Sequence, residues 1–300
     1  MAAETIEISD ALAEVGIVPA IGAGLANYDI RTELGKTPVF RRCADVNSAG
    51  PFDLAMNLLA PWSNRISGGG FTHRGIFYAL EPNLPEEPYP IHGNAFSSAW
   101  VLERRQPASA TLSFLSHGPG PFRYFASVTY ALEEGQLDVS LTIENHASCP
   151  LPYGVGLHPW LPRSAGTLLQ AQASRIVLED RRHLPAGERT LDGGGEWSFN
   201  VPRPLPPHWI NNAFLEWGGH ASIDWTDRQL SLEVTADAPL TTFIVYSPGA
   251  DADYFCFEPV SHPVDAHNVG GPIEKMGLVE LAPGSSIKAR CRFSPQRRRW

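Results

Sequence analysis

The stretch "FRYFASVTYALEEGQLDVSLTIEN", Phe122 to Asn145, decides the fold. Phe122, Tyr124, Ala126, Val128, Tyr130 and Leu132 recur at period two, which puts one apolar face on an extended strand. "EEGQ" breaks the run, and Leu137, Val139, Leu141 and Ile143 resume it. Two alternating runs joined at a glycine turn read as a β-hairpin.

The same chemistry recurs along the chain. "LLQAQASRIVLED", "ASIDWT", "LSLEVTA", "TTFIVYSP" and "YFCFEPV" are rich in β-branched or aromatic residues and bounded by turn residues. "IRTELGKTPVFRRCA" and "FDLAMNLLAPWSN" supply further strands early, and "IKARCRF" a closing one. Only "TIEISDALAEVG" and "IEKMGL" read as short helices. Gly and Pro number 27 each, so turns are many and long helices few. The expectation is an all-β protein, a large antiparallel β-sandwich with few short helices. With 300 residues, 43% of them apolar, the chain is read as a single domain over residues 1–300. The Pro-rich "NVPRPLPPHW" reads as a long surface loop rather than a boundary.

A net charge of −9 argues against nucleic acid or an anionic membrane as partner. The basic "QRRRW" reads as a solvated tail. No apolar run approaches the roughly 20 residues of a membrane span, and the acidic start lacks the pattern of a secretory signal. Cys43, Cys149, Cys256 and Cys291 are widely spaced and form no CxxC pair. They read as reduced, mostly buried thiols of a cytoplasmic protein.

Four segments place reactive side chains in controlled backbone: "NRISGGGF" with Asn64 and Arg65, "YPIHGNAF" with His92, "YGVGLHPWLPR" with His158, and "YFCFEPVSHP" with Glu258. Glu258 follows an aromatic run and precedes Pro259, which is read as ending the ladder. A carboxyl there is partly desolvated, its pKa raised, and it suits a general base; an ordinary strand-end glutamate bonded to a loop amide is the alternative. Pro159 restricts His158 to extended backbone, where it is either an acid–base group near neutral pH or a satisfied structural histidine. Arg65 can fork two hydrogen bonds to neighbouring hydroxyls, with an internal ion pair as the alternative. His262 and His267 read as loop or supporting residues. His92, His158 and Glu258 are a weak metal set without HxH or HExxH spacing. The Gly-rich runs lack a phosphate-loop lysine, and no serine sits in a GxSxG elbow.

The ordered set "NRI", "IHG", "GLHPW" and "FEP", with "ENHASCPLPYGVGLHP", resembles the aldose 1-epimerase (galactose mutarotase) family from about Ile30 to Phe293. The resemblance implies a galactose-mutarotase-like sandwich and interconversion of the α and β anomers of a free aldose, without cofactor or metal. It implies Glu258 as the base on the anomeric hydroxyl and His158 as the acid on the ring oxygen. Arg65 and His92 match positions that hold sugar oxygens, Asn64 belongs to the same motif, and Trp160 helps wall the site. Asn211, in "INNAF", stands where the family usually has an aspartate; it keeps an acceptor, adds donors and loses the charge. The chain also reads as short before Asn64 and between Gly70 and Ile91, which would widen the cleft. A sugar is the expected partner and a monomer or homodimer the expected state. A hexose-phosphate 1-epimerase and a non-catalytic carbohydrate-binding module are the alternatives.

Overall fold

The computed structural model describes residues 4–33, 35–191 and 194–297. The deciding stretch forms the strands Tyr124–Glu133 and Gln136–Asn145, and their burial alternates strictly, with Tyr124 to Leu132 and Leu137 to Asn145 facing in. Glu134 and Gly135 both take positive φ, as a two-residue turn of this twist requires.

Two large antiparallel sheets pack face to face. The nine-stranded sheet holds the hairpin and the strands Val101–Gln106, Ser109–Ser116, Thr167–Ala171, Arg203–Pro204, His220–Trp225, Leu230–Ala236 and Ser286–Arg297. The eleven-stranded sheet runs in the order Ile6–Ser9, Ala13–Val18, Gly24–Thr32, Met56–Leu59, Gly156–Pro162, Tyr254–Val260, Thr242–Ser247, Ile210–Leu215, Arg175–Glu179, Pro185–Thr190, with Gly35–Pro38 paired on Gly24–Thr32. Buried tyrosines key the sheets together. The Tyr28 hydroxyl donates to the Gly135 carbonyl at 2.6 Å, and that of Tyr130 to the Ala23 carbonyl at 2.8 Å. Each therefore buries its ring without stranding its polar end.

Three local expectations are corrected. "TIEISDALAEVG" forms two strands, because Ile6, Ile8, Ala13, Val15 and Ile17 alternate into the core. "LLQAQASRIVLED" splits between the two sheets at Gln172–Ser174. Pro259 does not end its ladder: the strand continues to Val260, and Pro259 stays in register with Phe243. "IEKMGL" holds a one-turn 3-10 helix, Ile273–Met276. Of the thiols, Cys256 and Cys291 are buried, whereas Cys43 and Cys149 are half-buried. No helix among the described residues is long and apolar enough to cross a membrane. Arg298 to Trp300 of the basic tail lie outside the described residues.

Candidate active site

The outer face of the eleven-stranded sheet carries the chemistry, and strand alternation explains why. On Gly156–Pro162, Leu157 and Leu161 face the core, so His158 and Trp160 face out. On Tyr254–Val260, Phe255 and Phe257 face the core, so Cys256 and Glu258 face out. On Ile210–Leu215 the core takes Ile210 and Phe214, leaving Asn211 outside.

Register then aligns these groups in rows. Trp160 pairs with Cys256, Cys256 with Tyr246, and Tyr246 with Asn211. The next row holds Asn57 opposite His158, and Glu258 opposite Ile244. The flanking pairs Gly156–Val260 and Trp160–Cys256 set His158 across from Glu258. By the same count Pro159 stands across from Phe257 and Pro259 across from Leu157. Neither proline has an N–H to give, so the ladder between these two strands is interrupted around the His158–Glu258 row.

The interruption brings His158 Nε2 within 3.4 Å of Glu258 Oε1. Both side chains are buried, and burial dominates their protonation. It pushes the Glu258 carboxyl up to about 8, only partly opposed by the Arg65 charge. It pushes His158 down to about 3, with the Arg41 charge adding to the effect. At neutral pH the pair therefore holds one proton, on Glu258, and is not an ion pair. His158 stacks on Trp160 at 4.9 Å between centroids, and the Arg41 guanidinium lies 4.2 Å over the Trp160 ring. Trp160 Nε1 donates to Asn57 Oδ1 at 3.2 Å, which locks that platform. Glu258 Oε2 and His158 Nδ1 are buried without a hydrogen-bond partner among the described residues. Such atoms are costly to leave unpaired, and both belong to the acid–base pair.

His92 enters from the loop above. It and Asn64 both have positive φ and bond reciprocally: His92 N–H donates to the Asn64 carbonyl, and Asn64 N–H donates to His92 Nδ1, each at 3.0 Å. Because Nδ1 accepts, the neutral ring carries its proton on Nε2. Burial, with His158 next, holds the His92 pKa well below the usual range, so the ring is a neutral N–H donor. Arg65 makes a bidentate pair with Glu87, at 3.0 and 2.6 Å, and a third bond to Asn64 Oδ1 at 3.3 Å. Three of the five guanidinium N–H groups are thus engaged and two remain for a ligand.

A cavity of about 200 Å³ joins these groups. Asn64, Arg65, His92, His158, Trp160, Asn211 and Glu258 all line it. Phe52, Leu84, Glu87, Ile91, His183, Trp209 and Tyr246 complete the wall. Trp209 was legible as the residue two before Asn211, and Cys256 as the residue two before Glu258, by the same alternation. Phe52, Glu87, His183 and Tyr246 carried no such signal. His262 and His267 lie under the site rather than in it. His262 Nε2 accepts from Ser63 N–H, and its burial demands Gly154, where a Cβ would come within 2.2 Å of the ring. Volume alone does not select this cavity. An open groove of about 730 Å³ beside Gln170 is larger, but its His220 pairs with Glu233 and its Glu216 with Arg175.

Among the described residues, the metal-ligand atoms that converge are those of His158, Cys256 and Glu258, within 4.8 Å of one another; His92, a member of the sequence set, is not in this group. Burial and the neighbouring Glu258 hold the Cys256 thiol well above its usual pKa.

The family model for aldose 1-epimerase matches residues 4–294. The uncharacterized protein YphB of Escherichia coli K12 is 36% identical over 236 residues, covering 76% of this chain and 79% of that protein. A crystal structure of a candidate aldose 1-epimerase from Escherichia coli K12 superposes with a TM-score of 0.90 at 28% identity, covering 98% of this chain and 99% of that one. A galactose mutarotase-like protein from Clostridium acetobutylicum gives a TM-score of 0.84 at 17% identity, covering 98% and 95%. The sandwich is therefore of the galactose-mutarotase-like type.

Proposed function

The chain belongs to the aldose 1-epimerase family, and from that premise we propose that it interconverts the α and β anomers of a free aldose by acid–base ring opening and closure. The observation that carries this reading is the His158–Glu258 pair, 3.4 Å apart and buried, lining a sugar-sized cavity. When sugar binds, the pair's one proton passes from Glu258 to His158 across the 3.4 Å contact; the Glu258 carboxylate then takes the anomeric hydroxyl proton while the His158 imidazolium protonates the ring oxygen. The C–O bond breaks, the aldehyde rotates about C1–C2, and closure reverses the transfers. His92 Nε2–H and the two remaining Arg65 N–H groups hold sugar oxygens, and Trp160 gives the ring a flat wall.

The proton inventory fits. Ring opening converts carboxylate and imidazolium into carboxylic acid and imidazole, the form that burial favours. The protein environment thus pulls toward the open-chain intermediate. Protonation of one oxygen while another loses its proton avoids a free oxyanion.

A phosphorylated substrate is disfavoured. Arg74 pairs with Glu280, Arg105 donates to the Glu7 carbonyl, and Arg123 to the Gly120 and Phe122 carbonyls. None of these, nor Arg104, lines the cavity, and its one arginine is already neutralised by Glu87. A binding module needs no acid–base pair, and two buried titratable groups are costly to keep for recognition alone. The test is polarimetry or NMR exchange on freshly dissolved α-aldoses. Acceleration is expected with free aldoses, not with glucose 6-phosphate, and is expected to survive chelation. Binding without acceleration would sink the catalytic reading, and loss on chelation would sink the cofactor-free one.

The pH profile is a second expected result. The pair works with one proton, so kcat/KM should stay flat across neutral pH and fall above about 8, where Glu258 loses the proton and nothing is left for the ring oxygen. It should hold at acidic pH until His158 protonates near 3. An acid limb near pH 6.5, the ordinary histidine value, would show that His158 is not held neutral.

A further inference from the structure

Glu179 stands just behind the cavity wall and takes three hydrogen bonds. Trp209 Nε1 donates to Oε1; Asn211 Nδ2 at 2.9 Å and His183 Nδ1 at 2.8 Å share Oε2. All three partners line the cavity, and Glu179 itself does not. Arg175 pairs with Leu215 and Val177 with Ala213, and beyond that pairing the side-chain bond sets Glu179 beside Asn211. The row Trp160–Cys256–Tyr246–Asn211 therefore ends on this carboxylate.

A carboxylate only accepts. It fixes the Asn211 amide with Nδ2 toward Glu179, since the flipped amide would set two acceptors face to face. Asn211 Oδ1, which has no partner among the described residues, is left to the cavity. It likewise holds the His183 ring by Nδ1, leaving Nε2 free of Glu179. Trp209 is held edge-on to Tyr246, with centroids 5.1 Å apart, as a flat wall beside them. Asn211 lies two strands from Glu258, about 9–10 Å at the usual strand spacing. A pyranose hydrogen-bonded at both ends spans that gap.

We propose that Glu179 is the positioning residue that sets specificity in this cavity. By turning Asn211 it aims an acceptor at the sugar, and by holding His183 it fixes a ring nitrogen beside it, so the cavity selects a neutral aldose with a hydroxyl distal to the anomeric carbon free to donate to Asn211. This rests on the anomer-exchange reading for its substrate. It also accounts for asparagine at the position where an aspartate was expected. Asn211 offers one carbonyl oxygen in place of a carboxylate oxygen, and the negative charge sits one residue behind it. A second carboxylate at 211 would crowd that charge.

The experiment is a reciprocal swap, read by tryptophan fluorescence for Kd and by NMR exchange for kcat and KM, with glucose and galactose. Glu179→Gln is expected to raise Kd and KM about 10-fold with kcat within about 3-fold, the loss of one charge-assisted hydrogen bond. Asn211→Asp, which sets two carboxylates side by side, is expected to raise them at least as much. The double variant restores one carboxylate and one amide, now exchanged, and is expected to return within about 3-fold of wild type. A merely structural glutamate would leave Asn211→Asp harmless and the double variant as poor as Glu179→Gln, and that pattern overturns the proposal. If wild type binds aldoses without accelerating exchange, the anomer-exchange reading fails and the Kd swap still decides the role of Glu179. If wild type binds neither sugar, both fail.

Discussion

Glu258→Gln is expected to slow anomer exchange about 10²–10⁴-fold, the usual worth of a positioned acid–base group, while making the protein more stable at alkaline pH. The two halves have one cause. The carboxyl is buried and its pKa is raised to about 8, so folding favours its neutral form. For such a group the folded state holds the proton more tightly than the unfolded chain. Its contribution is complete below the unfolded value near 4.5 and declines as pH rises to about 8. Glutamine is neutral at every pH and has nearly the same shape. Its Tm should match wild type at about pH 4 and exceed it increasingly from there toward pH 8. Thermal melts at several pH values, beside polarimetry, read both effects. A variant that exchanges anomers at the wild-type rate would remove Glu258 from the mechanism. One less stable than wild type at pH 8 would show that the carboxyl is not held neutral.

The part of this architecture legible in the sequence is what short-range periodicity encodes. Tyr124 to Leu132 and Leu137 to Ile143 announce their inward faces within one hairpin, and a two-residue turn fixes their register. The motif order then reached seven residues of the cavity although their strands are scattered over some 200 positions. Register between distant strands is a property of packing. Nothing near Glu258 says that Pro259 continues in a central strand, because the sign of an interrupted ladder lies on Pro159, on the neighbouring strand. The helix expected over Thr5 to Gly16 failed for a related reason. Its polar residues suit either period, and only pairing with Gly24–Thr32 selects the strand. Glu179 was invisible for the strongest form of this reason: its role depends on three donors, two of them beyond its own strand and loop.

Gly93→Ala is expected to be the most damaging single methyl in the site's frame. Gly93 has φ +66°, where a Cβ costs about 1–2 kcal/mol. That Cβ would also come within 2.1 Å of the Ala60 carbonyl oxygen, which is backbone and cannot swing away. The same oxygen accepts from Asn94 N–H and Ala95 N–H at 3.2 Å and from the Tyr124 hydroxyl at 3.3 Å. Moving off it therefore loosens three bonds as well as the chain. With overpacking added, the loss should reach about 3 kcal/mol or more, about 5 °C or more in Tm for a chain of this size. Gly68→Ala is the matched control. Its φ is +67°, but nothing lies within 4 Å of a Cβ there, so only the dihedral cost applies. The difference between the two variants isolates the close approach from the dihedral. Function should follow the same division, because Gly93 carries His92, whose ring is set by the exchange of hydrogen bonds with Asn64. Gly93→Ala should weaken sugar binding even well below its Tm, and Gly68→Ala should not. Equal melting losses in the two would mean that the loop yields and that the contact with Ala60 does not fix His92.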